Sequence, residues 1–177
     1  MLLPTVIVLA SGRGERFAAS GGAVHKLQAV LGHKRVLQHT LDAVIASGLP
    51  WHLERSGLAG MGDSIACAVH CSAQAAGWLI LPGDLPLVQS ATLRAVADAL
   101  REHEVVVPVY QGRRGHPVGF SARCALQLQQ LKGDQGAASV VRRYAAFELA
   151  LNDLGCVTDI DTLGDLQAAE RWLGARA

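Results

Sequence analysis

The chain has 177 residues, half of them hydrophobic and 18% charged, and its formal net charge is +1. These totals are typical of a globular protein and argue against a disordered chain, a basic nucleic-acid-binding protein and a membrane-surface protein. No apolar run reaches the roughly 20 residues that span a bilayer, and no basic region precedes the N-terminal apolar run, which therefore indicates a strand and not a signal peptide. We predict one domain over residues 1–177, without a nucleic-acid or membrane partner.

The four cysteines form no CxxC pair, which favours a protein of the reducing cytoplasm. Cys67 and Cys71 are four residues apart, the spacing of one helical face. We expect them to be a buried pair of small hydrophobic residues and not a metal or redox site.

Strand-like apolar runs alternate with segments of helical periodicity. The predicted strands are TVIVLA (5–10), WLILPGD (78–84), EVVVPVY (104–110), the short HPVGF (116–120) and a last strand that begins CVTDIDTLGDLQAAERWLG (156–174). The predicted helices are RVLQHTLDAVIASG (35–48), SIACAVHCSAQAAG (64–77, capped by Asp63 or Ser64 and ended by Gly77), ATLRAVADALREH (91–103, capped by Ser90), ARCALQLQQLKG (122–133) and the end of the C-terminal segment. Pro50–Gly62 has room for one short strand at most. The alternation predicts a doubly wound α/β sheet that binds ligands at the carboxyl ends of its strands.

A glycine-rich loop, SGRGERF, follows the first predicted strand. Glycine lets backbone N–H groups approach phosphate oxygens, and Arg13, Arg16 and Lys26 place three cations near one strand end. The loop is not a dinucleotide fingerprint, because Phe17 stands where the third glycine is needed, and Lys26 is not in the GK[ST] context of a P-loop. It is either a phosphate cradle or a βα turn with solvated arginines.

Asp84 follows a buried strand and Gly83, between two prolines. A carboxylate at the carboxyl end of a strand is well placed to hold Mg²⁺ against a phosphate, although a turn aspartate before a proline explains it equally well. In DIDTLGDL, Asp159 and Asp161 are expected to face opposite sides of a strand, so that one could reach a metal. Thr162 and Asp165 could instead form an imperfect capping box.

The segment GRRGHPVGF (112–120) brings two arginines and a histidine to a turn. These side chains could neutralise a second anion, or they could be the polar tip of a hairpin. His116 has no partner visible in the sequence, so we do not assign it as a general base.

Seven segments in this order resemble the MobA-like nucleotidyltransferases, and among them the branch that attaches CMP to the molybdenum cofactor. The segments are LASGRGERF…HKL, LGHKRVLQHTLDAV, GMGDSIACAV, LPGDLPLV, RRGHPVGF, LKGDQGA and DIDTLGDL. The resemblance implies a three-layer Rossmann-like nucleotidyltransferase fold with a mostly parallel sheet, which binds a nucleoside triphosphate and Mg²⁺.

The resemblance also implies the roles of individual residues. The implied nucleotide-binding residues are Leu9, Ala10, Ser11, Gly12, Arg13, Gly14, Lys26, Gly60, Met61, Gly62, Ser64 and Asp84. Those implied to be catalytic are Lys26, Arg13 and Asp84, and the implied metal ligands are Asp84 and Asp161. Those implied to bind the acceptor are Arg114, Gly115, His116 and Pro117.

The chain departs from the family pattern in three places. Ser11 replaces the usual alanine or glycine, and about four extra residues separate Arg16 from Lys26. Relatives usually have a strand, a helix and another strand where this chain has Pro50–Gly62, so we expect the sheet to be trimmed by one strand–helix unit.

The implied reaction transfers CMP from CTP to the phosphate of molybdopterin and releases pyrophosphate. Positioning and charge neutralisation carry such a reaction, so no side-chain nucleophile is needed. The implied partners are a nucleoside triphosphate and a phosphorylated pterin, with a molybdenum enzyme or its chaperone as a further candidate. The alternatives are a related transferase that uses GTP or a sugar or alditol phosphate, and a non-catalytic nucleotide-binding module. A dinucleotide oxidoreductase is the weakest alternative.

Overall fold

The computed structural model describes residues 2–58 and 60–175. The predicted domain 1–177 also includes Met1, Ala59, Arg176 and Ala177, which lie outside the described residues. The strands are β1 (Thr5–Leu9), β2 (Val30–Leu31), β3 (Lys34–Arg35), β4 (Trp51–Glu54), β5 (Gly77–Pro82), β6 (Val105–Tyr110), β7 (Arg113–Arg114), β8 (Val118–Ser121) and β9 (Phe147–Ala150). The α-helices are α1 (Glu15–Ala19), α2 (Val36–Ser47), α3 (Met61–Cys71), α4 (Ser90–Ala99), α5 (Ala125–Gln129), α6 (Ala138–Arg143) and α7 (Leu163–Gly174).

Over the described residues, seven strands form one mixed sheet. Six of them follow the order β4-β1-β5-β8-β6-β7, and the seventh, β9, pairs with β6. The pairs of β1 with β4, of β1 with β5 and of β6 with β9 are parallel, and β8 runs antiparallel to both β5 and β6. The predicted mostly parallel α/β sheet is confirmed.

Side chains of β1 alternate between the two faces of this sheet, as the pleat of a strand requires. Val6 and Val8 belong to a core shared with α2, α4 and α7, whereas Ile7 and Leu9 belong to a second core shared with α3, α5 and α6. Helices therefore cover both faces, which is the predicted three-layer arrangement and explains why β1 is apolar throughout.

The carboxyl ends of β1 and β5 leave the sheet side by side. The parallel register pairs Leu9 with Pro82, and the Gly83 N–H donates to the Leu9 carbonyl at 2.9 Å. A Cβ at Gly83 would lie 3.0 Å from that carbonyl oxygen, so only glycine lets the two chains run this close. The loop after β1 and Asp84 therefore begin at the same edge of the sheet.

Several predicted helix and strand boundaries are confirmed, and others are wrong. The helix α2 ends at Gly48, which is left-handed at φ 72°, and a single short strand, β4, lies within Pro50–Gly62. The helix α3 begins at Met61 rather than near Ser64 and ends at Cys71, because Ser72 turns back to bond the Ala68 carbonyl. The predicted end of that helix, Gly77, instead opens β5.

Two further wrong predictions concern Ser90 and the last strand. Ser90 is the first residue of α4 and does not cap it, because the buried Asp153 carboxylate accepts the Gln89 N–H at 3.0 Å and the Thr92 hydroxyl at 2.6 Å. In place of the last predicted strand, residues 154–157 form a 3-10 turn, and residues 158–161 belong to no helix or strand. The Ile160 N–H donates to the Asp84 carbonyl at 2.9 Å.

The expected burial of the Cys67 and Cys71 pair is also wrong. Cys67 is partly exposed and Cys71 is exposed, because this side of α3 faces solvent. Among the described residues, no helix is long and apolar enough to cross a membrane.

Candidate active site

A cleft of about 510 Å³ opens at the edge of the sheet where β1 and β5 end. Its lining residues are Leu9, Ser11, Gly12, Arg13, Gly14, Glu15, Arg16, Phe17, Lys26, Leu27, Leu58, Gly60, Met61, Pro82, Asp84, Asp134 and Asp161. The glycine loop and Asp84, which are about 70 residues apart, therefore face the same cavity, as doubly wound folds favour for ligand sites.

The glycine loop is fixed at both of its ends. Phe17 of α1 is 1% exposed and anchors the end of the loop in the core. The His25 Nε2 lies 2.6 Å from the Gly12 carbonyl oxygen, while the Leu27 N–H donates to His25 Nδ1 at 3.3 Å. A ring whose Nδ1 accepts a hydrogen bond carries its proton on Nε2, so His25 donates to Gly12.

Lys26 connects the two carboxylates that the sequence assigns to a metal. Its Nζ donates to Asp84 Oδ2 at 2.6 Å and to Asp161 Oδ1 at 2.7 Å. The three side chains are only 14%, 14% and 19% exposed, respectively. The structure thus brings Lys26, Asp84 and Asp161 together in one largely buried cluster.

Mutual attraction shifts the pKa values within this cluster. Burial alone would lower the pKa of Lys26, but the charges and hydrogen bonds of Asp84 and Asp161 outweigh it and raise that pKa above its ordinary value. Burial alone would raise the pKa of Asp161, but its hydrogen bond and charge interaction with Lys26, together with the charge of Arg16, lower it. Both shifts favour the charged forms.

The cleft is not electropositive, although three cations line it. Arg16 forms an ion pair with Asp161 Oδ2 at 2.5 Å, and the 79%-exposed Arg13 lies 3.7 Å from Glu15. The lining carries three cations, Arg13, Arg16 and Lys26, against four carboxylates, Glu15, Asp84, Asp134 and Asp161. The formal charge of the lining is therefore −1, and a triphosphate would need a further cation to enter.

A divalent cation fits the oxygen atoms available in the cleft. Asp84 Oδ1 is buried and has no hydrogen-bond partner among the described residues, although a buried carboxylate oxygen normally has one. Asp84 and Asp161 are hard oxygen ligands of the kind that Mg²⁺ and Mn²⁺ take. No group of three or more His, Cys, Asp or Glu side chains within residues 2–58 and 60–175 could hold a metal ion by itself. The remaining ligands would come from water and phosphate oxygens, as is usual for Mg²⁺.

The second wall of the cleft is the beginning of α3. A Cβ at Gly60 would lie 2.3 Å from the Gly133 backbone, and the Gly133 N–H donates to the Asp63 carboxylate at 3.0 Å. This contact holds Asp134 at the rim of the cleft. Because Gly60 has no Cβ, the two backbones can approach this closely.

Apolar side chains extend this second wall. Leu58 and Met61 line the cleft and are 42% and 49% exposed. Gly62 and Ser64, which the resemblance assigns to nucleotide binding, do not line the cleft. The Ser64 hydroxyl is buried and lies 3.2 Å from the Ser11 hydroxyl, so it supports the glycine loop from behind.

The cleft is not lined by any of the residues predicted to bind the acceptor, namely Arg114, Gly115, His116 and Pro117. Arg114 is exposed and forms an ion pair with Glu148 at 2.7 Å. A Cβ at Gly115 would overlap the Cys156 carbonyl, which also accepts the His116 N–H at 2.8 Å. Their role in acceptor binding stays a prediction.

His116, a member of the predicted acceptor segment, interacts electrostatically with Asp84 and Asp159. Its Nδ1 is buried without a partner among the described residues. Burial lowers the pKa of its imidazole, and the Ile80 backbone and the charges of Asp84 and Asp159 oppose that shift. A neutral ring therefore stands close to Asp84.

The site residues implied by the resemblance leave out His25, which holds the glycine loop, and the cleft-lining Leu58 and Asp134. The sequence indicates Arg16 as one of three cations near the strand end, but not its ion pair with Asp161. His25 and Arg16 were within reach of the sequence, because both lie in the segment that contains the glycine loop and Lys26. Asp134 lies in LKGDQGA, a segment of the resemblance to which no role is assigned. Leu58 carries no local signal, since only the folded chain brings it to the cavity. Ala10 is also next to the site, where its N–H donates to the Glu54 carbonyl at 2.9 Å.

Comparison with known proteins identifies a matching family and similar structures. The family described as the MobA-like NTP transferase domain matches residues 43–148. The chain is similar to the Rv0371c protein of Mycobacterium tuberculosis H37Rv, with 26% identity over 96% of this chain and 98% of that one and a TM-score of 0.81. A structure of Rv0371c in complex with manganese matches at 25% identity and a TM-score of 0.77, over 96% and 98% of the two chains.

A more distant match shows the fold alone. It is the molybdopterin-guanine dinucleotide biosynthesis protein A of Archaeoglobus fulgidus, with 16% identity over 97% of this chain and 99% of that one and a TM-score of 0.71. Both named relatives are covered almost completely.

Proposed function

The chain belongs to the MobA-like NTP transferase domain family, and we propose that it transfers CMP from CTP to the phosphate of molybdopterin and releases pyrophosphate. The general activity, nucleotidyl transfer, follows from the family. The choice of CTP and of a pterin acceptor is our proposal, and it depends on the resemblance of the sequence to the cytidylyltransferase branch.

One observation supports a catalytic role more than any other. The glycine loop after β1, Lys26 and the carboxylates of Asp84 and Asp161 converge on one cleft at the carboxyl edge of the sheet. A plain βα turn would not require a largely buried lysine and two largely buried carboxylates beside it. These residues are the ones that in-line phosphoryl chemistry needs, namely donors for phosphate oxygens and ligands for a metal.

The residues of the chain would position the substrate rather than form a covalent intermediate. The loop 11–14, held by His25, would present backbone N–H groups to the phosphates. Arg13 is exposed at the mouth of the cleft and is free to turn toward the leaving pyrophosphate. Lys26 and Arg16 would neutralise negative charge that develops on the transferred group.

Asp84 and Asp161 would hold a divalent cation, which we expect to be Mg²⁺. Bound there, the cation would withdraw charge from the phosphate oxygens and offset the net negative lining of the cleft. The complex of Rv0371c with manganese shows that a related protein of this fold takes a divalent cation.

Leu58 and Met61 would cover one face of the nucleotide base or of the pterin. Planar heterocycles bind to apolar side chains with a few polar groups at their edges. Asp134 stands at the same wall and could accept a hydrogen bond from an amino or hydroxyl group. The segment 114–117 would receive the acceptor phosphate. A molybdenum enzyme or its chaperone is the expected recipient of the product, and the cytoplasm is the expected location.

The experiment is a pyrophosphate-release assay that combines each nucleotide with each acceptor. CTP, GTP and UTP are tested with molybdopterin, a sugar phosphate and an alditol phosphate, in the presence of Mg²⁺ or Mn²⁺. We expect the highest kcat/KM with CTP and molybdopterin. The Asp84→Asn variant, purified in parallel, measures pyrophosphate from contaminating enzymes.

Each other outcome contradicts a defined part of the proposal. Release with GTP, or with a sugar or alditol phosphate, would keep the nucleotidyltransferase and reject the proposed substrate. Nucleotide binding by calorimetry without pyrophosphate release from any pair would indicate a non-catalytic nucleotide-binding module.

A further inference from the structure

Lys26 occupies the place between the two carboxylates that the sequence assigns to a metal. Its ammonium group contacts one oxygen of Asp84 and one of Asp161. The resemblance, in contrast, assigns Lys26 to the triphosphate. A single side chain cannot hold both positions at once, so Lys26 must move between the free and the loaded states if all three assignments are right.

The geometry leaves room for one cation between these carboxylates. The two oxygens that Lys26 contacts are at most 5.3 Å apart, the sum of its contacts of 2.6 Å and 2.7 Å. A Mg²⁺ ion bridging two oxygens holds them within about 4.2 Å of each other, since each metal–oxygen distance is about 2.1 Å. An ammonium between the same oxygens would lie against the ion, and the two like charges would repel strongly in a site with little water.

We propose that the Lys26 ammonium and the divalent cation use the same position between Asp84 and Asp161, so that Lys26 is a built-in counterion that gives way when the nucleotide–metal complex binds. The proposal rests on the proposed function, because the triphosphate is the partner that Lys26 turns to.

The charges of the cleft give this exchange a physical reason. Two largely buried carboxylates without a cation would repel each other, and Lys26 offsets half of their charge while the site is free. Arg16, which is exposed, forms an ion pair with Asp161. Asp84 contacts Lys26 through one oxygen, and its other oxygen has no partner among the described residues. A triphosphate offers Lys26 several new acceptors, so its departure from the carboxylates leaves no cation unpaired.

The exchange predicts that Lys26 weakens metal binding as long as no nucleotide is present. The test counts Mn²⁺ bound to the nucleotide-free protein by electron paramagnetic resonance, in which free Mn²⁺ gives the signal. We expect the Lys26→Met variant to bind Mn²⁺ at least about tenfold more tightly than the wild type, because the competing charge is gone. The matched control is Lys34→Met, which removes an exposed lysine from an ion pair with Asp42 and should leave the affinity unchanged. Asp84→Asn should abolish the binding.

Equal or weaker Mn²⁺ binding by Lys26→Met would overturn the proposal. An equal gain of Mn²⁺ affinity in Lys26→Met and Lys34→Met would also overturn it. That result would show an effect of the overall charge of the protein and not competition at one site. Lys26→Gln, which keeps a hydrogen-bond donor, replaces Lys26→Met if the latter does not fold.

A second measurement uses the wild-type protein alone. The chain has three lysines, Lys26, Lys34 and Lys132, so acylation of each amine can be followed by peptide mapping. We expect Lys26, which is 14% exposed, to react slowly and then several-fold faster when Mn²⁺ is added, whereas the rate at Lys34 stays constant. An unchanged rate at Lys26 with bound Mn²⁺ would show that the lysine does not leave.

These readouts separate the failure of this inference from the failure of the proposed function. Competition by Lys26 together with no pyrophosphate release would reject only the function. Pyrophosphate release together with equal Mn²⁺ binding by the wild type and Lys26→Met would reject only the exchange.

Discussion

Lys26 Nζ lies 2.6 Å from Asp84 Oδ2, although 58 residues separate them in the chain. The contact joins the turn after the glycine loop to the end of β5, and it extends to Asp161 at 2.7 Å. Three segments that are distant in the sequence thus meet in one ion cluster. Single substitutions within this cluster test the structure directly.

The first prediction concerns the Asp84 carboxylate. Asp84→Asn keeps the shape of the side chain and removes its charge. If this carboxylate holds the metal in the transition state, we expect kcat of the pyrophosphate-release reaction to fall at least about a hundredfold, which corresponds to about 3 kcal/mol. The measurement is steady-state kinetics with the best nucleotide and acceptor.

The control for this variant is Asp98→Asn. Asp98 is 68% exposed and pairs with Arg101 of the neighbouring turn, so the kinetics of Asp98→Asn should match those of the wild type. Wild-type rates in Asp84→Asn, with unchanged thermal unfolding, would remove Asp84 from the mechanism.

The second prediction concerns the acid limb of stability. Because the folded-state pKa of Asp161 is lowered, this carboxylate contributes stability that is complete above its unfolded pKa, about 3.9. That contribution is lost as the pH falls through the lower folded-state pKa. We therefore expect the free energy of unfolding of Asp161→Asn to decline less steeply than that of the wild type below about pH 4.

Lys26 gives the corresponding effect at alkaline pH. Its folded-state pKa is raised, so its contribution is complete below about pH 10.4 and is lost as the pH rises through the folded-state value. Urea unfolding of wild type, Asp161→Asn and Lys26→Met across the pH range checks both limbs. Parallel curves for wild type and variants would mean that the cluster does not couple to folding.

The third prediction separates binding from folding in the glycine loop. Gly14 is left-handed at φ 67°, and an added Cβ would lie 3.2 Å from the His25 ring, whereas a Cβ at Gly12 would meet nothing within 4 Å. Gly14→Ala should therefore lower the free energy of unfolding by about 1 to 2 kcal/mol. Gly12→Ala should leave it within about 0.5 kcal/mol of the wild type and raise the KM for the nucleotide, because the methyl group would keep phosphate away from the backbone.

The two glycine variants serve as controls for each other. Thermal unfolding and nucleotide titration of both proteins make the comparison. An unchanged KM in Gly12→Ala would argue that the loop does not approach phosphate.

The fourth prediction concerns His25 as a positioning residue. His25→Phe keeps a ring but removes the donor to Gly12 and the acceptor for Leu27. A net loss of about 1 kcal/mol in loop order corresponds to about a fivefold higher KM for the nucleotide, with a smaller change in kcat. His25→Gln, whose amide can still donate, should recover part of the affinity. The control His33→Phe changes an exposed histidine outside the cleft. An equal change of KM in this control would reject the positioning role of His25.

The local features of the fold were open to sequence reasoning because they depend on neighbouring residues. The apolar runs of β1 and β5 and the end of α2 at Gly48 came from periodicity and backbone preference. The capping box of Thr162 with Asp165 is likewise a local pattern and is present in full. The cap of α4 was not predictable in this way, because the acceptor at its start is Asp153, 64 residues beyond Gln89.

The sequence alone determined the class of the fold, since residue type and spacing carry that signal. It also indicated the glycine loop as a candidate phosphate site and Asp84 and Asp161 as candidate metal ligands. Only the tertiary structure decided that Lys26 pairs with Asp84 and Asp161, that the cleft is net negative and that Leu58 and Asp134 complete its wall. The physical reason is the parallel register of β1 and β5, which brings distant segments to one edge of the sheet, where charges select their partners by distance in space.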